Sequence, residues 1–334
     1  MKAWMYPLFV SLMLLVSTAA YAVERTGTVT IGIDLGDNPQ GVTRLWVPYP
    51  VSNEYQTISD MSVTGTQATS AVYGNAADGQ LWLYAEWDRD APKRVLELTF
   101  KAHAIERTAG KLKDSKEPVP AEVKRYLMAE KYLPTDGKVA ETAKKITKGK
   151  HGILAKARAV YDWTVENTYR DPDVKGCGLG IVERTLEVRG GKCADISSVF
   201  VALARAAGVP ARDAEGLRLG KKPEEDMTGG YHCWAEFYLP GTGWVPADPA
   251  DVRKIMLIEK LDLKQAAKYM EYYFGNVDEY RIALEHGARG ITLNPPQGSD
   301  AINYFMYPYA EIDGKALDYL SPKTFKYTVS FKAQ

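Results

Sequence analysis

Two kinds of hydrophobic spacing divide this chain, and the change falls near residue 108. From Arg25 to about Arg107 the period is two. Val29, Ile31 and Ile33 alternate with small or polar residues across 28–35. Segments 42–47, 55–63, 80–87 and 95–104 also read as strands, separated by clusters of Gly, Asn, Asp and Pro. This pattern predicts an antiparallel sandwich over 23–107. Residues 108–120 are polar, with Lys111, Lys113 and Lys116 and two prolines, and read as a solvated linker. Helical spacing then takes over. Short helices are expected near 121–131 and 138–147. A longer one runs over 151–167, where Ile153, Ala157, Val160, Tyr161 and Trp163 line a face. Residues 181–188 read as a further helical segment, and Ile196, Val199, Phe200 and Leu203 mark the next helix. Period two returns at 231–239 and 244–248, joined by Pro240-Gly241-Thr242-Gly243, a hairpin signal. The polar stretch between Gly220 and Gly230 reads as a connection between strands. Helical spacing covers 261–274, and short strands are expected at 281–284 and 291–293. Phe325, Tyr327, Val329 and Phe331 alternate, so the chain ends in a sheet strand. The expected architecture is α+β: the sandwich, the linker, then a second domain over 121–334 with a C-terminal β extension.

Composition changes this picture at the N-terminus only. Lys2, the apolar run Leu8 to Val16 and Ala20-Tyr21-Ala22 have the form of a signal peptide ending at residue 22. The expected location is therefore periplasmic or extracellular, with no stable membrane insertion after cleavage. Lys+Arg and Asp+Glu are both 42, so no global basic field exists to draw nucleic acid.

The chemistry gathers at Gly190-Gly191-Lys192-Cys193-Ala194-Asp195, immediately before the apolar helix. A cysteine at a helix N-terminus feels the positive end of the dipole, which favours thiolate, the nucleophilic form. Gly208 and Pro210 end that helix. The chain has 4 His. His232 lies on the 231–239 strand, and Asp248 ends the next strand of the hairpin, so pairing can set them side by side. Cys193 as nucleophile, His232 as base and Asp248 as its orienting partner form a thiol triad. Three cysteines in an exported chain leave one over. With Cys193 free, Cys177 and Cys233 either form a disulfide or remain as two buried thiols. Strand alternation turns Cys233 away from the face of His232, which argues against one metal ion shared by the two. Neither a metal nor a cofactor is expected.

The runs Gly191-Lys192-Cys193-Ala194-Asp195, Ala206-Ala207-Gly208-Val209-Pro210-Ala211-Arg212, His232-Cys233-Trp234-Ala235-Glu236 and Gly243-Trp244-Val245-Pro246-Ala247-Asp248 resemble the bacterial transglutaminase-like family, part of the papain-like thiol superfamily. The resemblance implies a catalytic helix packed on an antiparallel sheet. It also implies acyl transfer through a thioester on a peptide or protein substrate. The first expectation is hydrolysis of peptide, isopeptide or amide bonds. Protein-glutamine cross-linking is an alternative, as is a non-catalytic binding or assembly role on the same fold. One oxyanion donor is expected from the Cys193 backbone N–H. A glutamine before the cysteine serves as the second in papain-like peptidases, and Gly191-Lys192 stand there instead. Trp163, Tyr169 and Trp234 are the aromatic candidates for the substrate wall or the second donor.

Overall fold

The computed structural model describes residues 23–75, 79–287 and 289–334. The expected signal segment, 1–22, lies outside them. Two five-stranded sheets build the sandwich. One has Glu224–Asp226, Lys326–Ala333, Glu24–Asp34, Val95–Ile105 and Gln56–Gly65 in that order. The other has Lys315–Ala316, Tyr309–Ile312, Thr43–Pro48, Gln80–Trp87 and Thr69–Asn75. Alternation explains both: Val29, Ile31 and Ile33 point inward against Leu45, Val47, Leu83, Leu96, Leu98 and Phe100.

The sandwich is not confined to the first third of the chain. Strand Lys326–Ala333 lies antiparallel beside Glu24–Asp34, with Val29 opposite Phe331. Strand Tyr309–Ile312 pairs with Thr43–Pro48. The C-terminal segments expected as an extension of the second domain thus complete the first. Glu224–Asp226, in the polar stretch read as a connection, joins the same sheet by pairing with the last strand. Strand Thr69–Asn75, which the sequence pattern did not suggest, is exposed along most of its length and follows no hydrophobic alternation. The pair expected at 291–293 reduces to a single bridge between Ile291 and Ile302.

Between these returns sits the second unit. Ala121–Leu127 is a short 3-10 turn. The α-helices are α1 (Gly137–Ile146), α2 (Ile153–Asn167), α3 (Val182–Val188), α4 (Cys193–Ala206), α5 (Pro249–Glu259) and α6 (Ala267–Tyr272). A four-stranded antiparallel sheet runs Gly243–Ala247, Tyr231–Leu239, Ala211–Arg218, Arg281–His286. Helix α4 packs on this sheet and is enclosed on every side from Cys193 to Arg205. Its large residues, Ile196, Val199, Phe200 and Leu203, each contribute about 1.5–3 kcal/mol by leaving water. The small residues Ala194, Ser197, Ser198, Ala202 and Ala204 let the sheet and the neighbouring helices approach its other faces.

Charge joins the two units. Glu236 is wholly buried and accepts from Arg107, at the end of the sandwich, and from Arg212 Nε at 2.7 Å. Burial opposes its ionisation, but the two guanidiniums and His286 hold its carboxyl well below the usual range. The sandwich core also continues unbroken to Cys177, Cys193, Cys233, Met306 and Tyr307, so it forms the floor beneath the catalytic helix.

Candidate active site

The position of Cys193 is fixed by one carboxylate. Asp195, in the first turn of α4, takes backbone N–H groups from Lys192 (3.0 Å), Leu179 (3.0 Å) and Gly180 (2.9 Å). It therefore ties the start of the helix to the glycine-rich loop 176–180. Gly178 has φ +93, and a Cβ there would lie 1.9 Å from Asp195 Oδ2, so only glycine fits. The same tie brings Cys177 to the helix, where its carbonyl accepts the N–H of Ala194 at 2.9 Å.

The triad residues expected from sequence meet at this point. Cys193 and His232 are 2% and 3% exposed, and Asp248 is fully buried. His232 Nε2 lies 2.7 Å from Asp248 Oδ2. An ionised carboxylate can only accept, so Nε2 carries the proton and Nδ1 is left free to act on the thiol. Strand pairing sets this up: Ala235 faces Ala247 across the hairpin, which puts the start of one strand near the end of the other. Asp248 has a second task. It caps α5, its Oδ1 accepting from Asp251 N at 2.8 Å, with Pro249 in the first turn.

Four further residues brace the His232–Asp248 pair, and the sequence reading missed them. Arg281 Nη1 donates to Asp248 Oδ2 at 2.5 Å. Its Nη2 reaches Asp251 Oδ2 at 2.7 Å and Asp278 Oδ2 at 2.9 Å. Arg218 donates to Asp251 Oδ1 at 2.5 Å. Asp251 Oδ1 also lies 3.7 Å from His232 Nε2. Burial works against ionisation of Asp251, but Arg218, His232 and Arg281 outweigh it and hold the carboxyl well below its usual range. The local signal was present in Asp248-Pro249-Ala250-Asp251, which reads as an N-cap, a proline at the first helical position and an acid in the first turn. Arg281 left no such signal for its place at the site, because Asp251 and Asp248 lie 30 and 33 residues earlier.

Cys177 and Cys233 carry free thiols, so no disulfide joins them. Instead the sulfurs of Cys177, Cys193 and Cys233 lie within 4.8 Å of one another. Alternation of side chains sets Cys233 apart from His232, yet both neighbours reach Cys193. Burial opposes a charge on Cys193, yet hydrogen bonds from Cys177, Cys233 and His232, with the imidazole's charge, hold its thiol well below the usual range. Cys177 is pushed well up, chiefly by its hydrogen bond to Cys193. Burial, then the two neighbouring thiols, pushes up Cys233. One thiolate is thus supported by two thiols. The three sulfurs are also spaced to hold a soft cation. His232, Asp248 and Asp251 are close enough to do so as well, but Arg218 and Arg281 already occupy those carboxylates.

A cleft of about 290 Å³ opens at Lys192 and Tyr231, the chain neighbours of Cys193 and His232, and is lined also by Arg170, Cys177, Tyr307 and Tyr327; Cys193 and His232 themselves lie beneath its wall. The expected aromatic wall is not the one found. Trp163 packs into the helical core under the Arg189 guanidinium, 5.0 Å from its ring. Trp234 lies on the far face of the sheet, stacked 6.1 Å from His232 and under Arg281. Tyr169 is exposed and rests against Gly190, at the outer rim. The cleft aromatics come from elsewhere: Tyr231 directly precedes His232, and Tyr307 stacks on it at 4.5 Å. The Tyr231 hydroxyl is buried without a hydrogen-bond partner.

This arrangement predicts how the thiols titrate. A free thiol with a pKa of ~8.5 is about 1% thiolate at pH 6.5. Cys193 should react with iodoacetamide at least about tenfold faster than that at pH 6.5, with a rate nearly flat from there to pH 8. Cys177 and Cys233 should stay unmodified in the folded protein. Peptide mass mapping reads all three sites, and a Cys193 rate that climbs with pH like an ordinary thiol would contradict the thiolate assignment.

The transglutaminase-like superfamily model matches residues 140–249, which span α2, α4 and all three triad residues. A protein from Haemophilus influenzae described as uncharacterised is 39% identical over 339 positions, covering 93% of this chain and 91% of its own length. A protein-glutamine gamma-glutamyltransferase of Pseudomonas aeruginosa is 32% identical over 78 positions, which are 21% of this chain and 11% of that protein. Among solved structures, one from Cytophaga hutchinsonii described as a candidate cysteine protease superposes with a TM-score of 0.56 at 14% identity. The match covers 93% of this chain and 99% of that one, and it shows a common fold. With a cysteine at the N-terminus of the enclosed helix and a histidine–aspartate pair on the adjoining hairpin, the chain belongs to the transglutaminase-like superfamily.

Proposed function

We propose that the protein is a thiol-dependent hydrolase of peptide, isopeptide or amide bonds that acts outside the cytoplasm through a thioester on Cys193. The observation that carries this reading is the buried His232–Asp248 pair set against a cysteine whose thiol is held well below its usual range. Cys193 Sγ attacks the carbonyl carbon and forms the thioester. The thiol proton passes to His232 Nδ1, which gives it to the leaving amine as the C–N bond breaks and then takes one from the attacking water as the C–S bond breaks and Cys193 leaves as thiolate. Asp248 keeps Nε2 protonated and stabilises the charged ring, and Arg281 keeps Asp248 in place. The N–H at the start of α4 supplies an oxyanion donor. The partner is a peptide or protein chain laid across the tyrosine-lined cleft. The extracytoplasmic location rests on the signal-like first 22 residues. Among the described residues no helix is long and apolar enough to cross a membrane.

The acyl acceptor separates this reading from its alternatives. The reduced, mature protein is incubated with a mixture of glutamine-containing peptides in 18O-water, with and without an excess of a primary diamine. New carboxyl groups carrying 18O are the expected products, with amine adducts a small minority. A majority of amine adducts would establish cross-linking as the reaction. No Cys193-dependent product of either kind would support a binding role.

A further inference from the structure

Most of the buried arginines in this protein have acidic partners. Arg218, Arg281 and Arg289 meet Asp251, Asp248 and Asp213, and Arg205 meets Glu130. The cations beside the nucleophile differ. Arg170 and Lys192 both line the cleft and are half-buried, and among the described residues neither forms an ion pair. No aspartate or glutamate lines that cleft.

Backbone geometry sets the two side by side. Strand Tyr169–Arg170 runs parallel to Gly190–Gly191, with Arg170 opposite Gly191, and so one position from Lys192 and two from Cys193. Asp195 is occupied by three backbone N–H groups, and Asp171 Oδ1 accepts the N–H of Asp173 at 3.0 Å. A third cation stands close by: Lys254 on α5 is held down by burial, and further by Arg218 and Arg170, while Asp251 and then the charge of Cys193 act against this. Half-burying cations without counter-ions is costly, and the cost is removed when an anion arrives.

We propose that Arg170 and Lys192 form a carboxylate-binding subsite, so that the preferred acyl donor is an acidic peptide carrying an anionic group next to the bond attacked by Cys193. This rests on the thioester reading above and adds the class of substrate. Arginine suits the task through its paired N–H donors, and lysine adds a point charge. The tyrosines opposite give the apolar wall on which the rest of the donor lies.

A cationic rim could instead serve only to hold Cys193 as thiolate, and the test separates the two. Cys193 is alkylated in parallel with iodoacetate and iodoacetamide at one pH and one ionic strength, and N-acetylcysteine provides the reference ratio. Thiolate stabilisation affects both reagents alike, whereas carboxylate binding favours only the anionic one. The expected iodoacetate-to-iodoacetamide ratio is at least about tenfold above the reference, as a charge-assisted contact provides. Arg170→Gln and Lys192→Gln should each lower that ratio at least about threefold, and the double variant should remove most of the excess. Circular dichroism confirms that the variants are folded. A ratio that the variants leave unchanged would overturn the subsite, even if it is high, because His232 would then account for it. Parallel losses with both reagents would overturn it in favour of a thiolate-holding role. Failure of both reagents to modify Cys193 in the folded wild-type protein would overturn the thioester reading itself, and the subsite with it.

Discussion

Cys193→Ala should abolish turnover, with kcat lowered on the order of 10⁴–10⁶-fold, as expected when the nucleophile of a covalent mechanism is removed. The fold should survive. The side chain is small and the alanine keeps the helix, while Asp195 still ties the helix start to loop 176–180. The cavity left by one sulfur costs little beside the interactions of α4. The measurement is turnover of the best peptide found by the 18O assay, with melting temperature followed in parallel. Residual turnover within about tenfold of wild type would show that Cys193 is not the nucleophile. A large drop in melting temperature would make the loss uninterpretable for chemistry. The more conservative Cys193→Ser then decides, since a serine at this place keeps the shape and lacks a readily formed anion.

The second large effect concerns stability. Arg281 is nearly fully buried, with its guanidinium spread over Asp248, Asp251 and Asp278. Replacing it with methionine keeps the volume but leaves three carboxylates facing one another, with Arg218 as the remaining guanidinium in the cluster. Removing one partner from a buried ionic group costs about 3–5 kcal/mol, because the charges left behind stay desolvated. Arg281→Met should therefore unfold at markedly lower denaturant concentration than the wild type. The sign of the pH dependence follows from Asp251. Its folded pKa lies below the unfolded value, so its contribution is present above the unfolded value of ~3.9 and is lost as pH falls through the folded one. Without Arg281 that depression is smaller, and acid unfolding should begin at higher pH. Denaturation midpoints across pH 3–8 test this, and a midpoint equal to wild type at pH 7 would contradict the assignment. Asp248→Asn separates orientation from stability. It should retain most of the fold and lose about 10²–10⁴ in kcat, because an amide can impose the wrong imidazole tautomer.

The active centre could be read in part because its main pieces are short-range. Cys193 precedes an apolar repeat that can only be a helix, and two glycines before it allow the entry turn. His232 and Asp248 sit on strands joined by a four-residue turn, so their meeting follows from a hairpin. Helix α2 was legible for the same reason: its pattern runs over fifteen residues without interruption. Helix α5 was not legible although its capping residues are local, because the continuous apolar run Ile255-Met256-Leu257-Ile258 blurs the helical stripe. The aromatic assignments failed for a different cause. Tryptophans at 163 and 234 are close to the triad in sequence, but helix and strand periodicity turn them toward the core and the far face.

What the sequence alone determined, then, is a set of local elements and the triad residues on them: most strands of the N-terminal part of the sandwich, the helix behind Cys193, and the hairpin bearing His232 and Asp248. Tertiary structure decided the rest. It returned the last strand to the first sheet, opposite residues about three hundred positions earlier. It brought Cys177 and Cys233 to the sulfur of Cys193, set Arg281 against Asp248, and placed Arg170 opposite Gly191, one position from Lys192. Side-chain periodicity is set by neighbours three or four residues away in a helix and two in a strand, so it can be read directly. Which distant segments pair, and which buried charges then face one another, depends on how all the apolar faces are covered together, and no single stretch of the chain carries that information.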